Sequence, residues 1–220
     1  MNHVDIFSMS HGIFVSAENE NGEAYTKVNH VPLSSSHLGI VAEVNELSRE
    51  ISAGRVKLEE AEERLEKIEK IPPKKRWFQY MAAGLASGTF ALMLGSSVSE
   101  AVAAFLIGFL SYVWVLFAGK HNLSKIIVNI VGGVIMTVLA LAFMHIPFLP
   151  ILKLDGMMVG AIMPMIPGVA FVNAIRDIAD TDFLSGLVRM IDALLVFVYI
   201  AIGVGVTLSI YNTMMGGILR

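Results

Sequence analysis

The stretch GAIMPMIPGVAFVNAIRDIADTDF, residues 160–183, opens as an unbroken run of small and apolar side chains. Pro164 and Pro167 then fall three residues apart, Gly168 follows, and Asn173, Arg176 and Asp177 close the run. An interior proline removes one N–H donor and pushes the carbonyl four residues earlier off its bond, here those of Gly160 and Met163. Unpaired backbone at bilayer depth is expensive and is tolerated where protein or water covers it. Two readings follow. One is a plain kink, because proline and glycine are commoner in membrane helices than in soluble ones. The other is a discontinuous helix whose freed carbonyls and half-helix ends offer a polar patch near the midplane.

That stretch sits in a chain whose composition calls for a membrane. Of its 220 residues 55% are hydrophobic and 16% charged, and the mean hydropathy is +0.67, more apolar surface than a soluble domain of this size needs. A net charge of -3 argues for neither nucleic acid nor an acidic partner. With no cysteine, disulfide frameworks, thiol catalysis and thiolate metal sites drop out together. The opening MNHVDIFSMS has no basic stretch followed by an apolar core, so it does not read as a cleaved signal peptide.

Residues 1–71 read as a small α+β segment. GIFVSA and AYTKVNHV are β-type runs, and Asn21-Gly22 between them suits a hairpin turn. A helix follows, with a serine from positions 34–36 as its cap, Leu38, Val41, Val44, Leu47 and Ile51 as its stripe, and Gly54 as its stop. A second helix places Leu58, Ala61, Leu65 and Ile68 on one side, and Pro72 and Pro73 end it. Residues 77–220 read as an all-α polytopic membrane domain of about five spans: Trp77 to Gly95, Val98 to Ala118, Leu123 to Met144, Met157 to Ala174 and Phe183 to Tyr211. Placing the N-terminus in the cytoplasm puts Lys74, Lys75, Arg76, Lys120, Lys125, Arg176 and Arg189 near the inner face and leaves only Lys153 and Arg220 outside, as the positive-inside rule asks.

Among the charged groups, Arg176 and Asp180 can pair at i, i+4 as interface anchors, or Asn173, Arg176 and Asp177 can line the inner mouth of a pathway. There Arg176 would offer a planar fork to a carboxylate. Arg189 and Asp192, at i, i+3 inside the last span, are costly unless paired or facing an aqueous cavity; mutual neutralisation accounts for both without a substrate, and both also stand among the pathway candidates. Asn129, Ser87 and Thr89 read first as helix–helix hydrogen-bonding groups, with Asn129 also carried among the pathway candidates. GLASG and NIVGG supply small residues for close packing, and Glu100 reads as a first-turn carboxylate. Glu59, Glu60 and Arg64 match a pattern of membrane-embedded prenyl-protein proteases, but on a soluble helix without membrane histidines. No histidine pair stands at i, i+4 and no glycine-rich phosphate loop is seen, so neither an enzyme nor a cofactor is expected.

GIFVS, then VNELSREISAG, KLEEAEERLEKIEKIPP and the long run from Gly160 to Leu195 resemble the long-subunit part of the threonine/serine exporter family, from about Gly12 onward. The resemblance implies a bacterial inner-membrane secondary exporter of small hydroxy amino acids, with relatives that export small dicarboxylates. In split versions a second short multi-span subunit completes the transporter. It further implies that Pro164, Pro167, Gly168, Asn173, Arg176 and Asp177 line the pathway. Two departures are visible. An upstream helix with a Glu-Thr and Arg motif has no counterpart here, which suggests a late start or a truncated frame, and only Asp182 matches the family's Gly-Asp pair, Thr181 replacing the glycine. The expected partners are thus the bilayer, the solute, the short subunit and, as a further option, other copies of the chain, with no nucleic acid. A membrane scaffold or regulatory subunit that recruits a cytoplasmic protein through residues 36–71 is the alternative.

Overall fold

The computed structural model describes residues 3–9, 12–18, 23–30, 37–72, 74–146 and 152–215. The chain divides into two compact units, Met1–Lys75 and Arg76–Arg220.

In the first unit, β1 (His3–Met9), β2 (Gly12–Glu18) and β3 (Ala24–His30) form an antiparallel sheet in the order β1-β2-β3. Val15 stands opposite Ile6 on one side and Lys27 on the other. The Phe7 and Phe14 rings meet at 6.2 Å, and the Ser16 and Thr26 hydroxyls at 3.1 Å, the paired side chains that stabilise a ladder. β1 is a strand that the sequence reading did not anticipate. The Asn21-Gly22 turn and Ser34–Ser36 lie outside the described residues.

Helix α1 (Leu38–Ser52) is capped by His37, whose Nδ1 accepts from the Ile40 N–H at 3.2 Å; the cap is therefore not the expected serine. Its end follows expectation. Gly54 takes φ +67°, the Gly54 N–H donates to the Ile51 carbonyl, and the Arg55 N–H reaches the Glu50 carbonyl at 2.9 Å, a Schellman closure. Helix α2 (Leu58–Glu69) packs on α1 through Leu47, Ala61 and Ile68, and Arg64 pairs with Glu50 across the hairpin. On the surface of α2, the hydrogen bond and charge of Lys67 hold the Glu63 carboxyl below the usual carboxylate range. The rest of both apolar stripes, including Leu38, Val41, Leu58 and Leu65, is exposed.

The second unit is helical: α3 (Arg76–Met93), α4 (Val98–Lys120), α5 (Lys125–Met144), α6 (Leu154–Ile162), a 3₁₀ turn at Met163–Met165, α7 (Gly168–Ala179) and α8 (Phe183–Met214). Small residues let α3 and α4 approach closely. A Cβ added to Gly88 would lie 3.0 Å from the Ala101 carbonyl, and one on Gly108 would strike the Ser87 hydroxyl. Gly133 and Gly203 do the same where α5 crosses α8. GLASG and NIVGG therefore serve the packing role read from them. Ser87 does not: it is fully buried and its hydroxyl has no hydrogen-bond partner.

Helices α4, α5 and α8 are long and apolar enough to cross a membrane, and α6 with α7 makes a fourth candidate if the bent pair counts as one span. At about 1.5 Å per residue the 32 residues of α8 reach ~48 Å, beyond the ~30 Å of hydrocarbon. The first expected span, Trp77 to Gly95, falls on α3. With Arg76 and Gln79 in its first turn and Gly84, Ser87, Gly88 and Thr89 in its body, it is not among the helices apolar enough to qualify.

Candidate functional site

The penultimate run is broken where the prolines stand. The axes of Leu154–Met165 and Gly168–Ala179 differ by 60°. Pro164 lies inside the 3₁₀ turn, Ile166 is extended at φ -67° and ψ 126°, and Pro167 occupies the cap position of α7. The Ile166 N–H donates to the Met163 carbonyl at 3.2 Å, so that carbonyl is not left open as the proline spacing had suggested. The Gly168 N–H turns to the Ile166 carbonyl at 2.8 Å. Among the described residues, the α-helical bonds from Gly168 to Pro164 and from Val169 to Met165 are missing. The acceptors left open at the bend are thus those of Pro164 and Met165, and not that of Met163. Pro167 offers no side-chain cap, which leaves the positive end of α7 beside the break.

Packing holds the two sides of the break differently. Met157, Met158 and Ala161 of α6 are buried in a core with Ala103 and Ile107 of α4 and Met136 and Ala140 of α5. Met165, at the break, seats on α5: a Cβ on Gly132 would meet its Cε at 2.6 Å. Nearby the Trp114 indole donates to the Val128 carbonyl at 3.0 Å. Glu100 ties the start of α4 to the start of α6. It forms a capping box with Ser97, and its other oxygen accepts from the Lys153 N–H at 2.9 Å. The first-turn reading of Glu100 therefore holds, and the bond to Lys153 adds a second helix to it.

Helix α7 turns its charges two ways. Asp177 faces α8, where Arg189 Nη1 lies 3.0 Å from its carboxylate. Arg176 and Asp180 pair at 3.7 Å on the open side, at 79% and 71% exposure, the i, i+4 pair read from the sequence. Asn173 is also exposed. The three residues Asn173, Arg176 and Asp177 therefore do not act as one cluster. Arg189 and Asp192 do not neutralise each other either. Asp192 is bound by Lys125 at 2.5 Å, from the first residue of α5. Both α8 charges found partners on neighbouring helices, where two side chains can meet end to end. Asn129 is buried and donates to the Lys125 carbonyl of its own helix at 2.7 Å, so it makes no helix–helix bond. Thr89 is exposed. Lys125 was the partner that sequence reasoning missed, since nothing local links it to a residue 67 positions away.

Chemically, the arrangement offers a bent apolar run with open carbonyls at the bend, two cross-helix ion pairs on α8, and an exposed arginine whose present partner is weakly held. These features suit a helical membrane protein of three candidate spans, four if the bent pair counts as one, and discontinuous spans are where solute transporters place their sites. A family model described as "Putative threonine/serine exporter" matches residues 1–211. The chain belongs to that family. A curated relative, the "Threonine/serine exporter" of Corynebacterium glutamicum, is 25% identical over 211 residues, which is 94% of this chain and 43% of the relative. The chain thus spans less than half the length of that relative. No solved structure matches.

Proposed function

We propose that the chain is one subunit of a secondary exporter that carries threonine, serine or small carboxylates such as succinate out of the bacterial cytoplasm. Membership of the exporter family supports the class, and the printed name of the Corynebacterium relative supports the hydroxy amino acids. The chain spans 43% of that relative, and a second, short multi-span subunit is part of the same proposal. In this reading the chain sits in the inner membrane with a cytoplasmic N-terminus, and α3 crosses as well, making five spans. Its close small-residue packing along α4 is the reason.

One observation carries the mechanism: the 60° break that opens backbone in the penultimate span while Asp177 and Arg189 tie the second half to α8. A solute carboxylate displaces Asp180 from Arg176, which costs little because that pair is long and exposed. The solute then meets the open carbonyls and the uncapped end of α7. A proton taken up by Asp177, or by Asp192, removes the negative charge that holds Arg189, or Lys125, and so loosens α8 from its neighbour. That step couples export to the proton gradient. The test is efflux of preloaded threonine, serine or succinate from cells that carry the Pro164→Ala, Pro167→Ala double variant together with the short subunit. Loss of efflux at normal protein level is expected; unchanged efflux removes the break from the mechanism.

The exposed stripes of α1 and α2 favour a second reading, a scaffold that recruits a soluble partner. It expects residues 36–71 to capture such a protein and gene deletion to leave efflux unaltered.

A further inference from the structure

A cavity of about 220 Å³ lies between the first turn of α3 and the last turn of α4, lined by Arg76, Tyr80, Val113, Leu116, Phe117, Lys120 and His121. Its charge is one-sided. Arg76, Lys120 and His121 contribute to it, and no acidic side chain does. Neither Arg76 nor Lys120 has an ion-pair partner among the described residues.

Lys120 alone has an ordinary explanation, since a cation in the last turn of α4 complements the negative end of that helix. Arg76 does not. It is the first residue of α3, at the positive end of the helix dipole, and the first turn of α3 contains no acid to offset it. Arg76, Lys120 and His121 therefore line one space without a counter-charge from any lining residue. What the space lacks is an anion.

The rest of the lining specifies which anion. Val113, Leu116 and Phe117 form an apolar wall, and Val113 and Phe117 continue it onto the exposed side of α4, at 43% and 53% exposure. Tyr80 brings a phenolic hydroxyl at the boundary, and its ring joins Trp77 and Phe105 around Phe109 in an aromatic group of the kind that sits at headgroup level. A soluble anion has no use for such a wall. A lipid phosphate with acyl chains beside α4 uses both halves, and basic pockets between membrane helices are where anionic headgroups bind.

We infer that the cleft between the start of α3 and the end of α4 binds the headgroup of an anionic phospholipid, with Arg76 and Lys120 on the phosphate and the acyl chains along Val113 and Phe117. The site is separate from the broken span and does not depend on which solute is exported. It rests only on the helices lying in a membrane.

The test uses the purified full chain in neutral detergent, titrated with phosphatidylglycerol, with phosphatidylcholine of the same acyl chains, and with glycerol 3-phosphate. Bound lipid is read by native mass spectrometry and by the unfolding midpoint. Phosphatidylglycerol is expected to remain bound and to raise the midpoint, while the other two do neither. The Arg76→Gln, Lys120→Gln double variant is expected to lose at least tenfold in phosphatidylglycerol affinity with an unchanged lipid-free midpoint. Equal retention of phosphatidylcholine would reduce the cleft to an apolar contact, and an equal response to glycerol 3-phosphate would make it a soluble-anion site. Undiminished phosphatidylglycerol binding by the variant would also overturn the assignment. Should the variant fail to fold, a photoactivatable phosphatidylglycerol on the wild-type chain must label peptides that contain 76–80 and 113–121. Labelling confined to other peptides overturns it equally.

Discussion

Helices α6 and α7 are halves of one apolar run, separated by a 3₁₀ turn and a proline, yet α6 buries Met157, Met158, Gly160 and Ala161 whereas α7 buries only Ala174. The first half has no charge after Asp155 and touches α3, α4 and α5. The second half leans on α8 through Ala174 and a T-shaped contact of Phe171 with Phe197 at 6.1 Å, and it leaves Val169, Val172 and Ile175 exposed beside Arg176 and Asp180. The difference teaches where a helix break is useful. Asn173, Arg176, Asp177 and Asp180 all lie after the break, on the half that the bundle encloses least, while the half before it is packed as an anchor.

The largest test of the anchoring role is Gly160→Ala. Its new Cβ would lie 2.6 Å from the Ser87 carbonyl oxygen and 2.7 Å from the Ala91 Cβ, and backbone at that distance must move. A loss near the upper end of the overpacking range, about 3 kcal/mol, is expected in the unfolding midpoint of the detergent-solubilised chain. A midpoint equal to wild type would mean that α6 is no more fixed than α7.

Next comes Glu100→Ala, which removes the acceptor of the Ser97 and Lys153 N–H groups at the heads of α4 and α6. A cost of about 2 kcal/mol is expected from one lost cap and one unpartnered, part-buried donor. Glu100→Gln keeps one amide oxygen and should recover about half of that. If alanine and glutamine cost the same, the two-helix tie is not what holds α6.

Within α7 the comparison narrows to its inward and outward pairs. A double-mutant cycle on Asp177→Asn and Arg189→Gln should give a coupling of about 1 kcal/mol, discounted for the partial exposure of both side chains, against less than about 0.5 kcal/mol for Arg176→Gln and Asp180→Asn. Equal couplings would erase the distinction between the face that meets α8 and the face that does not. Efflux adds an independent readout that separates the two proton carriers: loss of pH coupling in Asp177→Asn assigns the proton to Asp177, and coupling kept there but lost in Asp192→Asn assigns it to Asp192.

Much of this architecture was legible before the structure, for reasons that are local. Pro164, Pro167 and Gly168 break a helix by their own covalent chemistry, Gly54 ends α1 by accepting a positive φ, and Glu100 reads as a first-turn carboxylate, though not as half of a capping box with Ser97. Small residues at Gly84, Gly88 and Gly133 pack closely wherever another helix passes. What stayed hidden depends on distance. Asp177 and Arg189 stand on two helices joined by a turn through Thr181 at φ 70°, and Lys125 meets Asp192 across two sequentially remote helices, so i, i+3 counting chose the wrong partners. Strand β1 was missed because its apolar residues Val4, Ile6 and Phe7 are all exposed and do not alternate cleanly, so no buried face marks it as a strand. The α3 helix was read as a span from its length, but Arg76, Gln79 and its small residues dilute its apolarity. The cation cluster of Arg76, Lys120 and His121 was legible as charge and illegible as a cleft, since it needs the antiparallel pairing of α3 with α4.

The smallest effect gives the sharpest contrast, because it repeats the first substitution eight residues later. Gly168→Ala adds the same methyl group on the other side of the break, where no heavy atom lies within 4 Å and the backbone needs no positive φ. With nothing to displace and fewer unfolded conformations to lose, the isolated chain should be unchanged or gain up to about 1 kcal/mol. The sign is therefore opposite to that of Gly160→Ala, and a matching destabilisation of the isolated chain would break the comparison outright. In cells that also make the short subunit, the same variant asks a different question. If its stability gain persists but efflux falls, the open surface at Gly168 is where solute passes close to backbone, and the added methyl obstructs it. If instead the complex falls apart while the isolated chain stays stable, that surface is covered by the partner, and the exposed Val169, Val172 and Ile175 belong to the same interface.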